Sequence, residues 1–188
     1  MTMINLQQFC STELGREYLH TPFARNGRLY ATNGHILVRV KHDASPAGHP
    51  KAPDAEKLFP NPPPAVVPLP MVELPAPEPE PPCEVCNGTG QDDGQVCFCC
   101  DGDGKGWVPD PVTVQIGSAY LASKYYRMLT ALPNCRIQVT AEMGYTDTPV
   151  YFTFDGGDGL LMGMRGEAKQ NIVAIAPETE SLSAGEGR

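Results

Sequence analysis

No stretch of this chain stays apolar for the roughly 20 residues that a membrane-spanning helix requires. The N-terminus also lacks a basic start leading into an apolar segment, so a soluble, cytoplasmic protein with no membrane partner is expected. Enzyme signatures are missing as well. His20, His35, His42 and His49 are scattered, with no serine nucleophile or spaced carboxylate to pair with. The glycine-rich run Asp155-Gly156-Gly157-Asp158-Gly159 has no Lys-Ser/Thr and no helical pattern after it, which argues for a hairpin connection rather than a phosphate loop. It also lacks the terminal Glu of a calcium loop. No catalytic residue is assigned, and the chain reads as non-enzymatic.

Positive charge is scarce: 14 Lys and Arg stand against 22 Asp and Glu, a formal net charge of −8. The deficit is uneven. Residues 1–42 carry five Lys and Arg against two Glu, 43–82 two against six acids, 83–110 one against six, and 111–170 five against five. From Pro60 to Pro82 nearly every second residue is proline. Proline has no N–H for a helix or a ladder, so 60–82 is expected to be an extended spacer without helix or sheet, within a Pro-rich linker that spans 43–82. Residues 177–188 are small, polar and acidic, which predicts a disordered tail. Two segments remain to build a core.

The acidic middle holds two copies of one pattern, Cys83-Glu84-Val85-Cys86-Asn87-Gly88-Thr89-Gly90 and Cys97-Phe98-Cys99-Cys100-Asp101-Gly102-Asp103-Gly104. Both read C-x-x-C-x-G-x-G. Two cysteines at this spacing present their thiolates to one ion if the backbone turns sharply behind the second, and glycine supplies that turn. Two such knuckles make a four-cysteine site for one zinc per chain, with Cys83, Cys86, Cys97 and Cys100 as ligands. A disulfide pair and a redox-active dithiol compete for the same spacing, and Cys99 competes with Cys97 and Cys100 for a ligand position. Cys10 and Cys135 read as small core residues. Four thiolates outweigh one divalent cation, so the 83–108 module is a poor match for nucleic-acid phosphates and a better one for a protein partner. The octads resemble the zinc-binding module of DnaJ-type chaperones. No His-Pro-Asp signature accompanies them, so the resemblance implies metal binding and not co-chaperone activity.

In residues 1–42, Leu6 to Cys10 is a short amphipathic stretch that Asn5 can cap. Arg16 to Phe23 reads as a strand broken by Pro22, and two further strands, Arg28 to Thr32 and His35 to Val40, follow the turns Asn26-Gly27 and Asn33-Gly34. In residues 109–176, Val112, Val114 and Ile116 alternate as a strand. A helix from Ser118 to about Leu132 is then predicted, because Leu121, Tyr125, Met128, Leu129 and Leu132 recur at helical offsets. Strands are expected over Arg136 to Thr140, Pro149 to Phe154 and Leu160 to Arg165, with Ile172 to Ile175 as a candidate closing strand.

The run Gly27-Arg28-Leu29-Tyr30-Ala31-Thr32-Asn33-Gly34-His35-Ile36-Leu37 resembles a strand-turn-strand of bacterial DNA polymerase sliding clamps, the beta subunit. Tyr120-Leu121, Ala131-Leu132-Pro133, Pro149-Val150-Tyr151 and Leu160-Leu161-Met162-Gly163-Met164-Arg165 resemble the later landmarks of a clamp domain, in the same order. Asn33 and Gly163 depart from the clamp's usual Asp and Pro. The resemblance implies an α+β fold: one sliding-clamp-like domain, two helices against antiparallel sheet, formed by 1–42 and 109–176 and interrupted by the linker and the module.

By the same resemblance Lys124, Arg127, Arg16, Arg25 and Arg28 are candidate nucleic-acid contacts, binding DNA non-specifically through phosphate. A clamp ring has six such domains, so a homo-oligomer would be needed to encircle DNA. A lone clamp-like domain with a grafted module fits a phage-encoded accessory protein acting in a bacterial host cell on DNA replication, recombination or host defence. The alternative is a zinc-knuckle adaptor or inhibitor of a host protein that binds no DNA.

Overall fold

The computed structural model of the chain describes residues 4–13, 15–41, 50–77, 79–100, 102–106, 112–139, 149–164 and 172–175. The expected tail 177–188, linker residues 43–49, His42, and the strand ends Thr140 and Arg165 lie outside them. Asn5 caps a 3-10 turn, Leu6–Phe9, by accepting from the Gln7 N–H at 3.1 Å. The expected strand over Arg16 to Phe23 is not formed. Glu17–Leu19 is another 3-10 turn, its last carbonyl accepting from the Ser11 N–H at 3.0 Å, and pairing begins only at β1 (Phe23–Arg25), after Pro22. Asn26 and Gly27, both at positive φ, turn β1 into β2 (Arg28–Thr32). Asn33 Oδ1 accepts from the N–H groups of His35 and Ile36 at 3.0 and 3.1 Å and so shapes the turn into β3 (Ile36–Lys41).

The Pro-rich linker is not a free spacer. It carries a 3-10 turn, Ala55–Leu58, and a two-residue strand, β4 (Val67–Pro68), and it buries Ala55, Phe59 and Leu69. Pro68 is tolerated because β4 is the last strand of its sheet, where a missing N–H costs no ladder bond. The module contributes a small hairpin, β5 (Gln91–Asp92) and β6 (Gln95–Val96). Next come β7 (Thr113–Ile116), β8 (Ala119–Ala122) and α1 (Ser123–Thr130). The first turn of the expected Ser118 helix is thus strand. Gly117, at positive φ, and Ser118 form a tight turn between Ile116 and Ala119, and Leu121 is buried by alternation rather than by helical period. β9 (Arg136–Ile137), β10 (Val150–Phe154), β11 (Gly157–Leu161) and β12 (Ile172–Ile175) complete the order. The hairpin turn is Asp155-Gly156 alone; Gly157, Asp158 and Gly159 belong to β11.

The class is α+β and dominated by sheet, with one α-helix among the described residues where two helices were expected. Seven strands form an antiparallel sheet in the order β1-β2-β3-β11-β10-β9-β4. The β3–β11 pairing, Ile36 opposite Leu161 and Val40 opposite Gly157, joins the two distant halves of the chain. β12, β7 and β8 make a second sheet in which β12 runs parallel to β7. One face of the large sheet, with Ala31, Ile36, Val38, Phe152 and Leu161, packs against β7, β8 and the Tyr125, Tyr126 and Leu129 side of α1. The other face places Tyr30, Leu37, Tyr151 and Leu160 against Leu19, Phe23, Ala55 and Phe59.

That second face ends in a buried polar network. Arg39 donates from Nε and Nη2 to the two Asp158 oxygens at 2.7 Å each and from Nη1 to Glu56 at 2.9 Å, with its guanidinium 3.5 Å from the Phe59 ring centroid. Tyr151 donates to Asp158 at 2.9 Å and Tyr30 donates to Glu56. A buried guanidinium is tolerable because it is matched in this way.

Candidate metal centre

The two octads make matching backbone hydrogen bonds. The Thr89 N–H donates to the Cys86 carbonyl at 3.0 Å, and the Asp103 N–H to the Cys100 carbonyl at 3.1 Å. Each knuckle then holds the other: the Cys83 N–H donates to Gly104 O at 2.8 Å and the Cys97 N–H to Gly90 O at 3.0 Å. The last glycine of each octad lies at positive φ against the carbonyl of the other octad's first glycine. A Cβ on Gly90 would run into Gly102 O, and one on Gly104 into Gly88 O. The G-x-G spacing therefore serves the turn and the contact between knuckles together.

These bonds bring the sulfurs of Cys83, Cys86, Cys97 and Cys100 within 4.8 Å of one another, all four side chains being buried. Cys83 Sγ lies 4.0 Å from Cys97 Sγ, and Cys86 Sγ 3.6 Å from Cys100 Sγ. Metal–sulfur bonds of about 2.3 Å in a tetrahedron put sulfurs about 3.8 Å apart, so the set fits one ion. A disulfide needs about 2 Å between sulfurs, and all seven cysteines are free. Backbone N–H groups of Cys86 and Val85 lower the Cys83 thiol to about 7. Desolvation raises Cys100 to about 11, so without a cation at its centre the cluster does not hold four thiolates at neutral pH. The Gly90 N–H donates to Cys86 Sγ at 3.3 Å, which fixes the orientation of that sulfur.

Of the competing cysteines, Cys97 and Cys100 join the cluster and Cys99 is exposed outside it. Cys99 remains close enough to Cys83 that their interaction raises its own pKa. Burial pushes Cys10 to about 11 and Cys135 to about 12, as befits packed, unreactive thiols.

The five candidate nucleic-acid contacts fall into separate places. Lys124 is exposed on α1 with its ammonium 4.9 Å from the Tyr125 ring centroid. Arg127 is half-buried and donates to the Pro75 carbonyl. Arg16 pairs with Glu13 at 3.1 Å. Arg25 and Arg28 are opposite each other on β1 and β2, 3.6 Å from Asp54 and 3.8 Å from Asp158 respectively, on the sheet face turned away from α1. The Arg39 network lay outside the sequence expectations, since only the fold brings Arg39, Glu56 and Asp158 together.

No known family model matches this chain, and neither does any curated protein or solved structure. The class of the site therefore rests on its own geometry: a cluster of four buried cysteines that could hold a metal ion, inserted in a sheet-dominated α+β domain.

Proposed function

We propose that Cys83, Cys86, Cys97 and Cys100 hold one zinc ion and that the chain is a non-enzymatic accessory protein whose knuckle module docks on a protein partner. The observation that carries this reading is the closed set of four buried sulfurs. Four cysteines fill a tetrahedral site and leave no position for substrate, the arrangement of a structural rather than a catalytic ion. The module is too small to bury a core of its own; its buried cluster consists of the four cysteines. On its outside Val85, Val96 and Phe98 are exposed, Phe98 by 81%, among the acidic side chains Glu84, Asp93 and Asp103. An apolar group of this kind in an acidic setting suits a partner with a basic, apolar surface. The clamp-like core, and with it a role in phage replication, recombination or host defence, is supported by the quoted sequence landmarks.

A specific observation favours the adaptor form of this reading, without DNA. The five cations do not line one helix face: Arg16 is neutralised, Arg127 is tied to Pro75, and Arg25 and Arg28 sit on the opposite sheet face from Lys124. Elemental analysis is expected to give one zinc per chain, lost in Cys83→Ser with melting of the module. Full folding without metal would overturn the structural role. Phe98→Ser should keep zinc and lose partner binding. Steeply salt-dependent DNA binding abolished by Lys124→Glu would favour the clamp-like reading over the adaptor.

A further inference from the structure

Across β1, β2 and β3, Arg25 stands opposite Arg28 and Arg28 opposite Lys41. Directly opposed residues point to the same face, so three cations form one row, although like charges in this relation repel. Arg28 and Lys41 of this row line a groove of about 910 Å³, between the 3-10 turn and prolines of residues 56–63 and the ends of β3, β10 and β11. Arg28, Arg39, Lys41 and Lys57 line it, with Glu56 and Asp158 as the only carboxylates in the lining among the described residues. Both carboxylates are already engaged by Arg39. Arg28 reaches Asp158 only at 3.8 Å, Arg25 reaches Asp54 at 3.6 Å, and Asp54 also serves Lys57 at 2.9 Å. Lys41 has no carboxylate within ion-pair distance among the described residues. Among the described residues four cations thus line the groove with two carboxylates, in a protein whose whole chain carries −8.

We propose that this groove binds a small phosphorylated ligand, with adjacent phosphates bridging Arg28 and Lys41. An anion between two opposed cations turns their repulsion into two charge-assisted contacts, and guanidinium suits phosphate oxygens in pairs. Arg28 is half-buried in the groove wall, which reduces screening by solvent at its contact. A single-stranded nucleic acid fits less well, because such ligands stack bases on open aromatic rings. The aromatic rings of the groove, Phe59 and Tyr151, are 8% and 5% exposed. This inference stands independently of the zinc reading.

The test is calorimetric titration of the full, metal-loaded chain with pyrophosphate at low salt, beside Arg28→Gln, Lys41→Gln and, as a control on the other face, Lys124→Gln. Saturable binding is expected, weakened about tenfold or more in Arg28→Gln and in Lys41→Gln and unchanged in Lys124→Gln. Zinc content should not change, and the Tm of Lys41→Gln should hold or rise as repulsion is relieved. Absence of saturable pyrophosphate binding, equal affinity in all variants, or binding of a short single-stranded oligonucleotide with none of pyrophosphate would each overturn the proposal.

Discussion

Glycine and carboxylate positions carry the sharpest consequences at the scale of single residues. Gly90 and Gly94 share a positive φ, 74° and 75°, yet only Gly90 faces the other knuckle's backbone; nothing lies within 4 Å of a Cβ on Gly94. Gly94→Ala should cost only the conformational strain, about 1 kcal/mol. Gly90→Ala must also push the knuckles apart, and a chelator competition should show at least a tenfold loss of zinc affinity against a small change for Gly94→Ala. Glu56 supplies a pH signature. Its carboxyl is held below its ordinary value, first by the Tyr30 hydroxyl and then by Arg39 and Arg28, against an opposing effect of burial. A carboxyl with a depressed folded-state pKa stabilises the fold above its unfolded value, about 4.3, and that stability is lost as pH falls through the folded value. The Tm gap between the native chain and Glu56→Gln should therefore be widest near neutral pH and close in acid. A gap constant with pH would remove the linkage.

Among the elements, the linker behaves least as its composition suggests. Residues 66–77 run along the open side of β9 and over α1: the Leu69 N–H donates to Cys135 O at 2.9 Å, Tyr126 donates to Pro70 O at 2.7 Å, and the Val72 N–H donates to the Tyr126 hydroxyl at 2.9 Å. Tyr126→Phe would leave two backbone groups unpaired where they are partly buried, at about 1–3 kcal/mol. Hydrogen exchange should then quicken at Leu69 and Val72 while β2 and β3 keep their protection. Uniform loss over the whole domain would mean that the strap is not a separate unit. The repeats of Asn-Gly and of G-x-G were legible because each imposes a positive φ that few other residues accept. The β7–β8 hairpin was missed for a related reason. Leu121 satisfies a period of two and a period of 3.6 equally, and the Gly117-Ser118 turn, not the periodicity, decides between them.

At the scale of the whole molecule, association in a ring would proceed through open sheet edges. One edge of the seven-stranded sheet is β4, which carries Pro68 and is followed by Pro70, and proline blocks edge pairing. Light scattering should give the mass of one chain, 20.3 kDa; six times that mass would supply the missing ring. By itself the sequence picked out the two paired-cysteine octads, the Asn-Gly turns and the strands that follow them, because these depend on neighbours a few residues apart. It could not show that β3 pairs with β11, that Phe59, Leu69 and their apolar neighbours between the prolines pack on the core, or that Arg25, Arg28 and Lys41 share one row. Those follow from contacts across long separations in the chain, which hydrophobic burial on both faces of one sheet selects and which no local pattern encodes.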